Sequence, residues 1–155
     1  MLLVKTKIGL SQINGIGLFA DQFIPKGTVT WRAIEPFDLK ISKEEMDKLS
    51  EPAKQIFLKY SYLSKWSKKY VLCFDDARFL NHSESPNVIC GEQTVEGEET
   101  VDIAARDIYP GEEITCDYRS FDIECAEDGL YFSEWGHKKD MAEQLWRPSA
   151  NLELF

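Results

Sequence analysis

The chain has 155 residues, 43% hydrophobic and 29% charged, and its 27 acidic against 18 basic residues give a net charge of −9. A chain of this length buries roughly 70% of its unfolded surface, so we expect a single domain, residues 1–155, whose core needs no metal or disulfide. The negative charge disfavours direct nucleic-acid binding, which depends on Lys and Arg side chains that neutralise phosphates. It favours a basic protein partner instead.

The first residues and the cysteines indicate the cellular compartment in which the protein is expected. Only four apolar residues precede Lys5, too few for a signal peptide or a membrane span, so we expect an intracellular protein, cytoplasmic or nuclear, without a membrane segment. No pair of its cysteines has C-x-x-C spacing, which indicates reduced thiols and no structural metal site. These cysteines are Cys73, Cys90, Cys116 and Cys125.

The first third of the chain predicts strands followed by a helical insert. Residues 7–30 mix short apolar runs with turn residues, and residues 28–34 are rich in β-forming side chains. Ser42 and Glu45 have the spacing of a capping box. Pro52 suits the first turn of a second helix, in which apolar residues recur at i, i+3, i+4 and i+7. We therefore expect a helical insert over residues ~42–66, with the repeat carried by Ala53, Ile56, Phe57 and Tyr60.

The remainder predicts more short strands and a C-terminal extension. Four apolar runs are separated by Gly and Pro-Gly turn signals, which indicates several small sheets and a mainly β fold. They span residues 70–74, 87–90, 100–104 and 113–116. Residues 122–155 follow as an extension, with a helix expected from residue 133 to residue 146.

One motif near the start has two interpretations. Residues 15–20 match G-x-G-x-x-A, the dinucleotide-binding fingerprint, and Glu35 stands where a ribose-binding acid is expected. That fingerprint requires a helix to begin at the second glycine, so that its N-terminus holds the pyrophosphate. Because a Pro-Lys-Gly turn at residues 25–27 leaves little room for such a helix, glycines of a tight turn are favoured over a dinucleotide-binding oxidoreductase.

Two further motifs are weak indicators of function when each is taken alone. Residues 78–87, with the sequence RFLNHSESPN, follow an apolar run and on their own indicate a loop held by its own turns. Residues 105–118 predict a strand, a Pro-Gly turn and a second strand that ends in Asp117-Tyr118. A tyrosine in that position is more often a packing residue than a catalyst.

Taken together, in this order, the three motifs resemble the SET-domain family of protein lysine methyltransferases, over residues 10–121. The resemblance implies a mainly β SET fold of several short sheets with a knot-like threaded C-terminal segment. It implies S-adenosylmethionine as cofactor, no metal, and methyl transfer to the lysine ε-amine of a basic protein such as a histone tail. A catalytically silent SET-like module that binds peptide or cofactor is the alternative. Retention of Tyr118, Asn81 and His82 favours the enzyme.

The resemblance assigns roles residue by residue. Tyr118 matches the catalytic tyrosine. The residues that match cofactor-binding or supporting positions are Gly15, Ile16, Gly17, Arg78, Phe79, Asn81 and His82. Tyr62 and Tyr70 are candidates for a second tyrosine in the substrate channel.

The chain also departs from the family pattern. Glu84 stands where cysteine is usual, and only Cys125 follows Tyr118, so a zinc-binding cysteine cluster after the domain is not expected. We expect aromatic residues to close the lysine channel instead. The candidates are Phe121, Tyr131, Phe132 and Trp135, with the expected tail helix to Trp146.

Charge is concentrated in residues 92–128, which hold thirteen acidic residues and two arginines. This segment contains Tyr118. A field of that sign is expected to speed encounter with Lys/Arg-rich substrates and to weaken with salt.

Overall fold

A computed structural model describes residues 1–127 of the chain, and side chains through Cys125. The expected helix at 133–146 and the lid candidates Tyr131, Phe132, Trp135 and Trp146 lie outside these residues. The strands are β1 (Thr6–Leu10), β2 (Ile16–Ala20), β3 (Val29–Trp31), β4 (Leu39–Ile41), β5 (Tyr62–Leu63), β6 (Tyr70–Leu72), β7 (Asn81–His82), β8 (Val88–Cys90), β9 (Asp102–Ala104) and β10 (Glu113–Cys116). The helices are α1 (Lys43–Met46), α2 (Glu51–Tyr60) and α3 (Ile123–Glu127), with 3₁₀ turns at Asp76–Phe79 and Tyr118–Ser120.

The described strands form three small sheets, which confirms the mainly β prediction. One sheet has the order β1-β2-β10-β7, the second β3-β9-β8 and the third β4-β6-β5. All pairs are antiparallel except β10 with β7, which run parallel. A parallel pair needs a long connection, and here the connection contains the second sheet's strands β8 and β9. The pairing brings the middle and last sequence motifs side by side.

The insert is helical over a shorter range than residues ~42–66. The capping box is present, because the Glu45 N–H donates to Ser42 Oγ at 3.2 Å and the Ser42 N–H donates to Glu45 Oε2 at 2.8 Å. Helix α2 ends at Tyr60, and the next residues pair with β6 as strand β5. The helical periodicity is correct, but only part of its apolar face is covered: Phe57 is buried while Ile56 is 64% exposed.

The main core lies between the first two sheets. Its buried side chains come from β2, β8, β9, β10 and the loops beside them: Leu18, Ala20, Ile24, Val88, Ala104, Ile108 and Ile114. Burial of each large aliphatic side chain contributes about 1.5–3 kcal/mol. Since β10 supplies both a core residue, Ile114, and the approach to Tyr118, the core fixes the position of the last motif.

Within residues 1–127 no helix is both long enough and apolar enough to cross a membrane.

Candidate active site

The glycine motif is a hairpin turn that leads into a strand. Gly15 has φ 48°, a left-handed conformation that suits glycine, and its carbonyl accepts the Ser11 N–H at 2.9 Å. Leu10 then pairs with Ile16 as β1 meets β2. Because β2 begins at Ile16, the helix that a dinucleotide fingerprint requires is not formed. The oxidoreductase interpretation is therefore wrong.

The parallel pair of β7 and β10 builds the centre of the site. Thr115 lies opposite Asn81 and Cys116 lies opposite His82. Two residues after Cys116, the Tyr118 N–H donates to His82 Nδ1 at 3.2 Å. The centroids of the Tyr118 and His82 rings lie 5.4 Å apart. The structure thus brings Tyr118 beside the strand of Asn81 and His82, although Tyr118 lies 36 positions after His82 in the chain.

The Asn81 side chain joins the middle motif to the glycine turn. Asn81 is 7% exposed, and its Nδ2 donates to the carbonyls of Asn14 at 3.1 Å and Ile16 at 3.2 Å. A third contact, 2.8 Å long, goes to Glu113 Oε1. All of these partners belong to the protein, so the amide holds the turn in place. This contact pattern makes Asn81 a brace of the predicted cofactor turn.

Sequence reasoning quoted Glu113 within a motif but gave it no role. Its carboxylate lies 2.8 and 2.9 Å from Ser11 Oγ, which donates to it, and it also accepts from Asn81. A Cβ atom placed on Gly17 would collide with this carboxylate. The signal was an acidic residue on a buried strand, where a carboxylate needs partners. Those partners are 32 and 102 positions away in the chain, so a local sequence pattern could not predict them.

The Tyr118 hydroxyl donates to the Leu80 carbonyl over 2.5 Å. Burial, followed by the charges of neighbouring groups such as Cys116, raises the pKa of Tyr118 well above its ordinary value. The phenol therefore stays protonated near neutral pH. It can donate and orient, but it is poorly suited to accept a proton from an amine.

His82 is likewise a poor base in this arrangement. Burial lowers its pKa, although nearby Asp117 acts in the opposite direction. Its Nδ1 is occupied by the Tyr118 N–H. Asp117 is itself held by a bidentate contact from Arg119, with both distances 2.9 Å, and these hydrogen bonds lower the Asp117 pKa.

Two more aromatic rings stand next to Tyr118. Phe121 lies 5.9 Å from the Tyr118 ring and 4.8 Å from the Tyr62 ring, in edge-to-face contacts. The Tyr62 hydroxyl donates to Glu99 Oε2 at 3.3 Å. Tyr62, Phe121 and Tyr118 therefore form a continuous aromatic wall.

Tyr70 is placed elsewhere. It packs against Phe57 in the cluster under helix α2, and its hydroxyl donates to Glu124 at 3.0 Å. Of the two tyrosines considered for the second channel position, Tyr62 is linked to Tyr118 through Phe121, whereas Tyr70 packs into a different cluster. Sequence spacing could not separate them because both flank the same short hairpin. Trp135, the remaining channel candidate, lies outside the described residues.

Arg78 and Phe79 precede β7 in the 3₁₀ turn. The exposed Arg78 guanidinium lies 5.2 Å from the Phe79 ring centroid, and Phe79 contacts Tyr60 at the end of α2 with centroids 5.8 Å apart. These contacts support the approach to Asn81 and His82. No cluster of three or more potential metal ligands occurs within residues 1–127.

A cleft of about 430 Å³ opens beside the turn that contains Tyr118. It runs along β8 and is bordered by the turn that follows Tyr118 and by the residues after β5. Its lining comprises Lys65, Trp66, Pro86, Val88, Ile89, Cys90, Gly91, Asp117 and Ser120. Since Asp117 and Ser120 flank Tyr118 in the chain, a segment bound in the cleft would lie next to the aromatic wall.

Comparison with known proteins places this geometry in a family. Residues 15–119 match the SET domain family model. The chain is 34% identical over 123 residues to Histone-lysine N-methyltransferase set-2 of Caenorhabditis elegans, covering 76% of this chain and 8% of that protein. It is 33% identical over 121 residues to Histone-lysine N-methyltransferase trr of Drosophila melanogaster, covering 74% and 5% respectively. The chain thus spans less than a tenth of either curated relative.

A solved structure has the same fold. It belongs to a Plasmodium falciparum protein assigned as a histone methyltransferase, matches with a TM-score of 0.54 at 20% identity, and covers 76% of this chain and 95% of that one. Together with the family match over residues 15–119, this confirms the resemblance drawn from the three motifs. The chain belongs to the SET domain family.

Proposed function

We propose that this chain transfers a methyl group from S-adenosylmethionine to the lysine ε-amine of a basic protein such as a histone tail. The observation that carries the proposal is the joining of the three motifs at one place: Asn81 braces the glycine turn, and Tyr118 bonds to His82 and Leu80. Family membership and the curated relatives support the reaction class.

The glycine turn fits a bound cofactor. A Cβ atom on Gly15 would meet open space, so ligand atoms can approach the backbone there. We assign Gly15, Ile16, Gly17, Asn81 and His82 to the cofactor side of the site, with Arg78 and Phe79 in support. S-adenosylmethionine, when bound, supplies a methyl group on a positively charged sulfonium, so no metal is needed to activate the leaving group.

The protein itself must align the substrate lysine ε-amine with the methyl group and keep that amine uncharged. Free lysine has a pKa near 10.4, and transfer into an apolar channel favours its uncharged form. The aromatic wall formed by Tyr62, Phe121 and Tyr118 supplies an apolar lining for this channel. The Tyr118 hydroxyl and the Leu80 carbonyl, 2.5 Å apart, mark a polar point at which an amine can be oriented for in-line attack.

The cleft along β8 is the proposed substrate groove. Exposed Ile89 lies on its edge strand β8, and the cleft is bordered by Lys65 and by Asp117, which is paired with Arg119. The acidic segment 92–128 would attract Lys/Arg-rich tails towards it. Such a substrate would be met in the nucleus or the cytoplasm.

We also propose that aromatic residues from 122–155, together with Phe121, close the channel. Among the lid candidates Phe121 is the one inside the described range, and it bridges Tyr62 and Tyr118. Deleting residues 129–155 is expected to reduce methyl transfer while an intact fold is verified by thermal unfolding. Unchanged transfer after this deletion would contradict the lid.

The test of the proposed function uses the full chain, tritium-labelled S-adenosylmethionine and purified core histones. Tyr118→Phe removes the hydroxyl and leaves the ring, so it is expected to lower transfer at least about tenfold. Its thermal midpoint controls for folding. Binding of cofactor without transfer would instead support a silent module.

A further inference from the structure

A half-buried carboxylate in the loop between β8 and β9 accepts hydrogen bonds from the hydroxyl groups of one short segment. Glu99 Oε2 accepts from Ser64 Oγ at 2.9 Å and from the Tyr62 hydroxyl at 3.3 Å. Its Oε1 accepts from Ser67 Oγ at 2.7 Å. Hydrogen bonds to an ionised acceptor are stronger than those between neutral groups. The carboxylate therefore holds residues 62–67 at three points.

The turn that follows Tyr62 is also organised from within. Ser64 is fully buried, and its Oγ accepts the Trp66 N–H at 3.1 Å and the Ser67 N–H at 3.2 Å. The Ser64 carbonyl accepts the Lys68 N–H at 3.0 Å. A serine hydroxyl that accepts from backbone N–H groups still has its own proton to donate. Because that proton is donated to Glu99, the carboxylate completes the hydrogen bonding of the turn.

The same turn forms one side of the cleft along β8. Lys65 and Trp66 line the cleft, and the Lys65 ammonium lies 4.9 Å from the centroid of the Trp66 ring. The Lys65 N–H donates to the Phe121 carbonyl at 2.9 Å. Phe121 in turn joins the Tyr62 and Tyr118 rings of the aromatic wall. A shift of the turn would therefore move the cleft lining and the wall together.

Two neighbouring carboxylates in this loop have different contacts. Glu98 is 63% exposed at its side chain and pairs with Lys40 Nζ at 3.3 Å on the surface. Glu99 is half-buried and is bound by the turn. Burial raises the pKa of Tyr62, so the Tyr62 hydroxyl keeps its proton and remains a donor to Glu99. Glu99 thus reaches the cleft through the residues that it holds.

We propose that Glu99 is a positioning residue for the substrate cleft. By binding the hydroxyls of residues 62–67, it fixes the position of Trp66 and of the cleft side that receives a basic peptide. A cleft wall that is ordered before binding saves the conformational entropy that ordering it with the substrate would cost. Glu99 therefore contributes to substrate affinity without touching the substrate. The proposal rests on the proposed function, whose substrate groove is this cleft.

The first test separates substrate affinity from turnover, with the full chain, saturating S-adenosylmethionine and core histones. Glu99→Ala removes the acceptors, so KM for the histones should rise about tenfold while kcat changes by less than about threefold. Glu99→Gln keeps the side-chain length and one oxygen acceptor, and it should restore part of the wild-type KM. A variant that is merely less stable has fewer active molecules, which lowers kcat and leaves KM unchanged.

A second variant removes the shortest of the contacts from the other side. Ser67→Ala deletes the hydroxyl that lies 2.7 Å from Glu99, and it should raise KM in the same direction as Glu99→Ala. Since both changes break one contact, their combined effect on KM should be smaller than the product of the two single effects. Ser67→Ala also carries the comparison should Glu99→Ala not fold.

The matched control is Glu98→Ala, which removes one acidic charge from the same loop. Both variants lose the same charge, so any weaker attraction of a basic substrate is shared, whereas the turn loses its acceptor in Glu99→Ala alone. Because Glu98 belongs to a surface ion pair, Glu98→Ala should keep KM within about twofold of the wild type. Thermal unfolding of each variant checks its fold.

The second measurement is the affinity for a fluorescein-labelled peptide from the histone H3 tail, read by fluorescence anisotropy. Glu99→Ala should weaken peptide binding in step with its KM. Equal KM and affinity in the Glu98 and Glu99 variants, or a lower kcat at unchanged KM, would overturn the proposal, as would a wild type that does not bind the peptide. If the wild type binds the peptide but transfers no methyl group, the proposed function fails, and the peptide affinities still decide the role of Glu99.

Discussion

Asn81 and Glu113 are 32 positions apart in the chain, yet the Asn81 amide donates to the Glu113 carboxylate over 2.8 Å. The same carboxylate accepts from Ser11 in the turn beside Gly15. One acidic side chain thus ties the glycine turn, the middle motif and strand β10 together. The site depends on this connection as much as on the residues expected to touch ligands.

Replacing Glu113 with alanine should therefore damage both fold and function. The change leaves the Asn81 amide and the Ser11 hydroxyl without a charged acceptor, at a cost of about 1.5–3 kcal/mol in the free energy of unfolding. Urea denaturation measures this cost. Glu112→Ala is the control, since Glu112 pairs with the exposed Arg106 and such surface pairs contribute about 0–1 kcal/mol. Equal losses in the two variants would refute the bracing role.

Gly17 and Glu113 should be coupled energetically. A Cβ atom on Gly17 collides with the carboxylate, and forcing extra atoms into a packed site costs about 1–3 kcal/mol. In a Gly17→Ala, Glu113→Ala double variant the collision is gone, so its destabilisation should be smaller than the sum of the two single losses by about 1 kcal/mol. Strict additivity in a double-mutant cycle would show that the two residues do not interact as described.

Local chemistry in the sequence predicted local structure well. Ser42 and Glu45 form the expected capping box, and the run expected at 113–116 is strand β10. The three motifs identified the family because their order can be read from the sequence without knowledge of any contact. The helical periodicity of α2 was correct, although it could not show that Ile56 faces solvent.

What sequence reasoning missed depends on contacts between distant segments. Tyr62, unlike Tyr70, contacts the Phe121 ring, and nothing in the sequence near either tyrosine indicates that contact. The role of Glu113 depends on contacts with residues 32 and 102 positions away, which neither periodicity nor propensity specifies.

The half-buried carboxyl of Asp102, on strand β9, makes stability depend on pH. Its pKa is raised to about 7 in the folded chain and is about 3.9 in an unfolded one, so the folded state holds the proton more tightly. The resulting stabilisation relative to Asp102→Asn is present below about pH 4 and is lost as pH rises to about 7. Urea denaturation of both proteins across this range measures the difference. A constant difference would contradict the assignment.

Methyl transfer to basic substrates should weaken with salt. The acidic excess in residues 92–128 attracts Lys/Arg-rich tails, and this attraction is screened beyond about 10 Å at 0.1 M and about 3 Å at 1 M ionic strength. The value of kcat/KM for core histones should fall as salt rises, whereas that for a lysine peptide with uncharged flanks should change much less. Equal salt dependence for the two substrates would remove the steering role of the segment.

The most direct test of the central claim is residue-level mass spectrometry of core histones incubated with S-adenosylmethionine and the full chain. The account predicts added methyl groups on lysine ε-amines with the wild type, and a loss of at least about tenfold with a folded Tyr118→Phe variant. Methylation of other side chains, equal lysine methylation by the two proteins, or no methylation by either would contradict it.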